Sequence, residues 1–182
     1  MSDYLQFYKQ IAKIKKILRT GWVRESIENP ENVGDHSFGI AVLAMVIADK
    51  LGKQVDKEKL IIMALIHDIG ELVYGDTVVE RGKLISDKRE EKDKKEREKL
   101  KEVFDLLGNG EKYVKIFDEL IEQKTLEGQI VKQLDKLEMA LQASDYEQEQ
   151  NKNLEEFFIN AELYIKHPLL KEIFAQILVE RI

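Results

Sequence analysis

A histidine and an aspartate, His67 and Asp68, follow directly on an apolar run from Leu60 to Ile66. Burying an ionised carboxylate without a partner is costly in free energy. A divalent metal ion is an economical partner where several ligands converge, and imidazole nitrogen with carboxylate oxygen suits Mn, Co, Fe, Ni, Zn or Mg. Glu71 lies four residues after His67, so it shares their face if the segment is helical. It is therefore a candidate general base for a metal-bound water.

Further ligands have to come from other parts of the chain, which contains only three histidines. His36 lies in the first turn of a predicted central helix, and Asp135 borders an apolar stripe on a later helix. Each also has a purely structural interpretation. His36 alone is a residue at a helix start, and Asp135 alone is a surface carboxylate paired with Lys132 or Lys136. The joint pattern, rather than any single residue, indicates a metal centre.

The elements that must position these side chains are all predicted to be helices, because apolar residues recur at three- and four-residue steps. Asp35 is the predicted N-cap of the second helix and Gly52 its end. No strand pattern of useful length is present, and 22–34 and 75–86 are predicted loops. The predicted helices cover about residues 3–20, 35–51, 56–74, 86–107, 111–123, 126–148, 154–166 and 169–181.

Length and composition bound the class of protein. The 182 residues correspond to about one domain, and 43% hydrophobic with 35% charged residues is a globular balance. We therefore expect an all-α, single-domain helical bundle over residues 1–182. Its motif-bearing core is expected at about 21–148 and its C-terminal helices at about 153–182.

Charge and cysteine content exclude several kinds of function. A net charge of −6 argues against general electrostatic binding of a polynucleotide, because such binding needs a basic face. The absence of cysteine removes disulfides, cysteine–zinc sites and thiol nucleophiles. Neither a signal-peptide pattern nor a membrane-length apolar run is visible. We therefore expect a cytoplasmic protein with no membrane partner.

The order of these motifs resembles the HD-domain phosphohydrolases, whose pattern is a His, a later His-Asp pair and a distant Asp. The resemblance is closer to the 5'-deoxynucleotidase branch of that family. It rests on segments between about residues 21 and 138, which occur in the expected order. They are Gly21-Trp22, Glu31-Asn32-Val33, Asp35-His36-Ser37, His67-Asp68 with Glu71, Gly75-Asp76, and Gln133-Leu134-Asp135-Lys136-Leu137-Glu138.

The resemblance implies a role for each matching residue. Glu71 would be the catalytic carboxylate that handles the attacking water, and Asp76 would contact the sugar or help place that water. Trp22 would line the nucleotide pocket. In some relatives a second metal is expected, with Glu71 and Asp76 as its ligands here. The implied ligands of the first metal are His36, His67, Asp68 and Asp135.

One position departs from the family pattern. In bacterial members an arginine precedes the tryptophan and orients the phosphate, whereas this chain has Gly21 there. Arg19 or Arg24 would have to reach the site instead, or the metal would carry more of the phosphate charge. The family also implies cobalt or manganese as the preferred metal, with magnesium, nickel, iron or zinc possible. It further implies a homodimer, with the C-terminal helix pair as a candidate surface.

The implied function is a phosphohydrolase that removes the 5'-phosphate from (deoxy)ribonucleoside monophosphates. A second interpretation keeps the fold and changes the substrate to a dNTP, a guanosine polyphosphate or a cyclic nucleotide. A third interpretation is a nucleotide-sensing protein that binds the metal but catalyses no reaction. A fourth is a structural helical bundle without metal. The presence of Glu71 argues against the sensor.

Overall fold

The computed structural model describes residues 2–76 and 86–181, and these contain nine α-helices and no strand longer than an isolated bridge. Short 3-10 turns lie at Ile14–Lys16, Gly52–Gln54 and Ile69–Leu72. The α-helices are α1 (Ser2–Ile11), α2 (Thr20–Arg24), α3 (Val33–Leu51), α4 (Lys57–Ile66), α5 (Ser86–Asp105), α6 (Gly110–Glu122), α7 (Leu126–Gln150), α8 (Glu155–Tyr164) and α9 (Pro168–Glu180).

Two helices, α3 and α7, form the centre of the bundle. Helix α3 packs on α4 and α7, and the 25-residue α7 packs on α3, α4, α6, α8 and α9. Apolar side chains on several faces of both helices are buried, as expected for helices surrounded by others. In α7 the fully buried ones are Ile130, Leu134, Leu137, Ala140 and Ala143. Within the described residues, a cluster of buried apolar side chains includes residues of every helix from α2 to α9.

The prediction that the first helix reaches residue 20 is wrong, because α1 ends at Ile11. After a 3-10 turn the chain becomes extended at Ile17. The segment then pairs with the residues before α3: Val33 N donates to Ile17 O at 2.8 Å, and Arg19 N donates to Glu31 O at 3.1 Å. Helix α2 follows, so the predicted loop at 22–34 begins inside a short helix. This path brings Arg19 towards the centre of the bundle.

The prediction of one helix over residues 56–74 is also wrong in its second half. Helix α4 begins at Lys57, with Asp56 as its N-cap, close to the predicted start, but it ends at Ile66. Asp68 has φ −110° and ψ 11°, and a 3-10 turn follows at Ile69–Leu72. The break coincides with a close approach of α5, because a side chain at Gly70 would overlap Glu96. His67 and Asp68 therefore lie at a helix end, not within a helix.

The first turn of α3 is fixed by Asn32, not by the predicted cap Asp35. The Asn32 side chain accepts hydrogen bonds from Gly34 N at 2.8 Å and Asp35 N at 3.1 Å. Asp35 in turn accepts from Asn32 N at 3.2 Å. This reciprocal capping box satisfies backbone donors that the helix leaves free, and it orders the turn that carries His36.

Two further expectations concern the loop at 75–86 and membrane-spanning helices. The predicted loop at 75–86 lies outside the described residues except at its ends, Gly75, Asp76 and Ser86. Among the residues that the structure describes, no helix is long and apolar enough to cross a membrane.

Asn32→Ala is expected to lower the free energy of unfolding by about 1 kcal/mol, since it removes the accepted cap bonds of α3. Asn109→Ala is a matched control, because Asn109 is the N-cap of α6 but makes no side-chain cap hydrogen bond. Urea unfolding followed by circular dichroism measures both. Equal losses in the two variants would contradict the assignment of Asn32 as the effective cap.

Candidate metal centre and active site

The four predicted metal ligands come together where α3, the end of α4 and the middle of α7 meet. His36 Nε2 lies 3.3 Å from Asp135 Oδ1 and 3.8 Å from Asp68 Oδ2. His67 Nε2 lies 3.0 Å from Asp68 Oδ2. Ligand atoms of His36, His67 and Asp135 all lie within 4.8 Å of one another. Residues separated by about 100 positions in the chain thus present nitrogen and oxygen ligands to one point.

The hydrogen bonds of the two histidines leave the same ring atom free. His36 Nδ1 donates to Glu138 Oε2 at 2.5 Å, and His67 Nδ1 donates to Ala64 O at 2.7 Å. The Nε2 atom of each ring is buried and makes no hydrogen bond within the described residues. A buried polar atom without a partner is unfavourable. Two such atoms facing carboxylates fit the ligand preferences of a divalent transition metal.

Charges around the site shift the pKa values of the ligands. Burial raises the pKa of Asp135, but the charges of Lys136 and His36 outweigh it and hold that pKa well below its usual range. Burial and the Arg19 charge lower the pKa of His36, but the adjacent carboxylates of Asp135 and Glu138 raise it to about 9. The carboxylate is therefore ready for metal binding, whereas His36 has to release a proton when a metal binds.

Glu71 lies in the 3-10 turn after Asp68, and its carboxyl group is buried with Oε2 unpaired. Burial, together with the negative charges of Asp68 and Asp76, raises the pKa of Glu71 to about 10. A divalent cation beside it would oppose this shift, because positive charge favours the carboxylate form. Glu71 therefore offers a buried, unpaired carboxyl oxygen beside the candidate metal ligands, and a cation bound there would favour its ionised form.

Asp76 is held at the edge of the site by two contacts from the segment before α2. Its carboxylate accepts from Thr20 N at 2.5 Å and from Arg19 Nη1 at 3.4 Å. The same Nη1 donates to Asp68 Oδ2 at 3.2 Å. Burial lowers the pKa of Arg19, but the charges of Asp68 and Asp76 outweigh it and keep the pKa above its usual range. Arg19 is thus a permanent positive charge between a metal ligand and Asp76.

The contacts of Trp22 and Arg24 are with residues other than the four candidate ligands. The Trp22 side chain is only 1% exposed, stacks on Phe157 and meets Tyr146 edge to face. The Arg24 side chain is 52% exposed and pairs with Glu25 and Glu156. Their predicted contacts with a nucleotide stay predictions.

Two buried glutamates next to the site were given no role by the sequence reasoning. Glu138 contacts His36, and Glu31 accepts from Trp22 Nε1 at 2.8 Å. Burial, then the charge of Glu138, raises the pKa of Glu31 to about 7. The sequence feature that could have identified Glu138 is its spacing: it follows Asp135 by three residues and therefore shares its helix face.

The chain belongs to the HD domain family, whose model matches residues 11–178. The 5'-deoxynucleotidase HDDC2 of Dictyostelium discoideum is 39% identical over 194 aligned positions, which cover 100% of both chains. The human protein of the same name is 33% identical, with 97% of this chain and 85% of the relative covered. The 5'-deoxynucleotidase YGK1 of Saccharomyces cerevisiae is 34% identical, with 84% and 72% covered.

Solved structures agree with this membership. A conserved hypothetical protein from Pyrococcus furiosus has a TM-score of 0.77 at 34% identity, with 95% of this chain and 98% of that chain covered. A predicted metal-dependent phosphohydrolase from Magnetospirillum magnetotacticum has a TM-score of 0.70 at 22% identity, with 99% and 94% covered, a likeness of fold alone. The predicted all-α HD-domain bundle is confirmed.

His67→Ala is expected to abolish high-affinity binding of one divalent ion, because it removes a ligand outright. The loss should exceed the roughly 10- to 100-fold typical of losing an outer partner of a metal ligand. His167→Ala is the matched control, since His167 is the N-cap residue of α9 and belongs to neither candidate metal cluster of the described residues. Titration of metal-stripped protein with Mn²⁺ measures both; an unchanged dissociation constant in His67→Ala would refute the ligand assignment.

Proposed function

We propose that this chain is a metal-dependent phosphohydrolase that removes the 5'-phosphate from (deoxy)ribonucleoside monophosphates, giving a nucleoside and inorganic phosphate. The observation that carries the proposal is the convergence of two buried, unpartnered imidazole nitrogens with two carboxylates beside the buried Glu71. The relatives named 5'-deoxynucleotidase support the class of substrate.

In the proposed reaction, each residue of the site has a separate role. His36 and His67 would hold a divalent cation through Nε2, and Asp68 and Asp135 would each add a carboxylate oxygen. When bound there, such an ion lowers the pKa of a water molecule and offsets charge on the phosphoryl oxygens. Glu71 accepts the proton of the attacking water at its unpaired Oε2. In-line attack on phosphorus then forms the new P–O bond and breaks the bond to the sugar oxygen, which takes up a proton from solvent to give the nucleoside, with no covalent enzyme intermediate.

Arg19 is our candidate for the phosphate anchor that Gly21 does not provide. Its guanidinium is nearly buried, with 10% of the side chain exposed, and lies between Asp68 and Asp76. A guanidinium binds phosphate oxygens with directed, charge-assisted hydrogen bonds. Arg24 is the second candidate; its ion pairs are with Glu25 and Glu156, not with the candidate ligands. Asp76, fixed by Thr20 and Arg19, would contact the sugar or help place the water.

Finer expectations belong to the same proposal. Cobalt or manganese is the expected metal, with magnesium, nickel, iron and zinc as competitors, because this ligand set suits several of these ions. Glu71 and Asp76 are the candidate ligands of a second ion. We further expect a homodimer, a cytoplasmic location, and Trp22 at the wall of the nucleotide pocket.

Glu71→Gln is expected to lower kcat for phosphate release by about 10²- to 10⁴-fold, the usual contribution of a general base, while Mn²⁺ binding is retained. Metal-stripped protein is re-supplied with Co²⁺, Mn²⁺, Mg²⁺ or Zn²⁺ and assayed on a panel of mono-, tri-, poly- and cyclic nucleotides. Glu127→Gln is the control, because Glu127 is also a buried glutamate but contacts Lys59 and Asp56 N.

The products separate the interpretations. Release of phosphate from monophosphates supports the nucleotidase, whereas tripolyphosphate or pyrophosphate from longer substrates supports another nucleotide hydrolase. If no monophosphate releases phosphate with any metal, the nucleotidase interpretation is contradicted. Nucleotide-dependent thermal stabilisation without turnover would favour a sensor.

Arg19→Lys is expected to lower kcat/KM for a monophosphate by about 10- to 100-fold, as losing a hydrogen bond to a charged group does, mainly through a higher KM. Lysine keeps the charge but not the planar fork of donors. Arg24→Lys is the matched control and should change kcat/KM little. Assays are run at saturating metal, because Arg19 also contacts Asp68. The reverse pattern would make Arg24 the anchor.

A further inference from the structure

Glu138 is, among the described residues, a buried carboxylate that contacts a candidate metal ligand and has no part in the proposed reaction. Its Oε2 lies 2.5 Å from His36 Nδ1, with the His36 side chain 0% and the Glu138 side chain 10% exposed. We propose that Glu138 is a positioning residue that orients His36 for the metal, and that Gly39 exists to make room for it. This inference rests on the metal centre proposed above.

The contact selects which nitrogen of His36 faces the metal centre. A carboxylate only accepts hydrogen bonds, so Nδ1 must carry the hydrogen in this pair. The neutral ring then keeps its lone pair on Nε2, the atom that lies 3.3 Å from Asp135 Oδ1 and makes no hydrogen bond. Metal-bound histidines commonly donate their second ring nitrogen to a carboxylate, which fixes the ring and raises its basicity. Glu138 has the geometry for that function.

Gly39 supplies the space that this contact needs. It follows His36 by three residues on α3, so the two lie on adjacent turns of one face. A Cβ at Gly39 would lie 2.7 Å from Glu138 Oε1, 3.2 Å from its Cγ and 3.4 Å from its Cδ, and these are the three nearest atoms. Glycine is otherwise disfavoured inside a helix. The empty position is therefore filled by the carboxyl group that holds His36, not by the backbone of a neighbouring helix.

The geometry of Gly39 allows a test that leaves the chain folded. The atom that an alanine would meet first is the far end of a flexible side chain, so Glu138 can shift while the backbone of α7 stays in place. Alanine also favours the helix more than glycine does. Gly39→Ala should thus disturb the contact between Glu138 and His36 without melting the bundle.

The experiment measures the Mn²⁺ dissociation constant of the full chain, with free Mn²⁺ followed by electron paramagnetic resonance. Glu138→Ala is expected to weaken binding by about 10- to 100-fold. Glu138→Gln is expected to restore part of this loss, because the amide oxygen still accepts from Nδ1. Gly39→Ala is expected to weaken binding when Glu138 is present, and to add nothing in the Gly39→Ala/Glu138→Ala double variant.

Glu147→Gln is the control, since Glu147 is also a largely buried carboxylate of α7 but pairs with Arg181; its Mn²⁺ affinity should not change. Circular dichroism verifies that each variant is folded. Unchanged Mn²⁺ affinity in Glu138→Ala, or an equal effect of Gly39→Ala with and without Glu138, would overturn the proposal. Because the readout is metal affinity, it is independent of whether any nucleotide is hydrolysed.

Discussion

Buried negative charge is the constraint on which this helical core depends. Asp68, Asp135 and Glu71 lie close together where three helices meet, and two histidines face them without donating from Nε2. The cationic side chains that reach these groups in the described residues are Arg19, at Asp68, and Lys136, at Asp135. Concentrating carboxylates in a poorly solvated place is unfavourable unless positive charge offsets them. A divalent cation fits both this negative charge and the two Nε2 atoms that make no hydrogen bond.

Irregular backbone, rather than regular helix, assembles these groups. His67 and Asp68 occupy the point where α4 stops, and Glu71 is brought back by a single 3-10 turn that packs against α5 at Gly70. Arg19 arrives through an extended segment paired with the residues before α3. Side chains at helix ends and in short turns converge from several directions, which a continuous helical face does not allow. The long helices α3 and α7 then supply the rigid frame, each contributing one candidate ligand.

The sequence alone predicted which residues meet but not the backbone that brings them together. Residue type and order were sufficient for His36, His67, Asp68 and Asp135, because few side chains bind a metal and the chain has only three histidines. The helix ends were missed because apolar residues continue past them: Ile69 and Leu72 look like a continuation of α4. Periodicity reports which face is apolar and carries no information on a close approach from another helix, such as that of Glu96 to Gly70.

The same reasoning explains why the sequence could not choose between Arg19 and Arg24 as the phosphate anchor and gave Glu138 no role. Arg19 depends on backbone pairing with a segment about a dozen residues away, and Glu138 on a glycine of another helix. Arg19 contacts Asp68 and Glu138 contacts His36, and these two groups are themselves an oppositely charged pair when His36 is protonated. The burial and carboxylate charges that raise the pKa of Glu71 are the ones that a cation at Asp68 would counter. Filling the centre would therefore also convert Glu71 to the ionised form that accepts a proton. In the proposed reaction, one electrostatic imbalance would thus connect the candidate ligands, the candidate phosphate anchor and the candidate base.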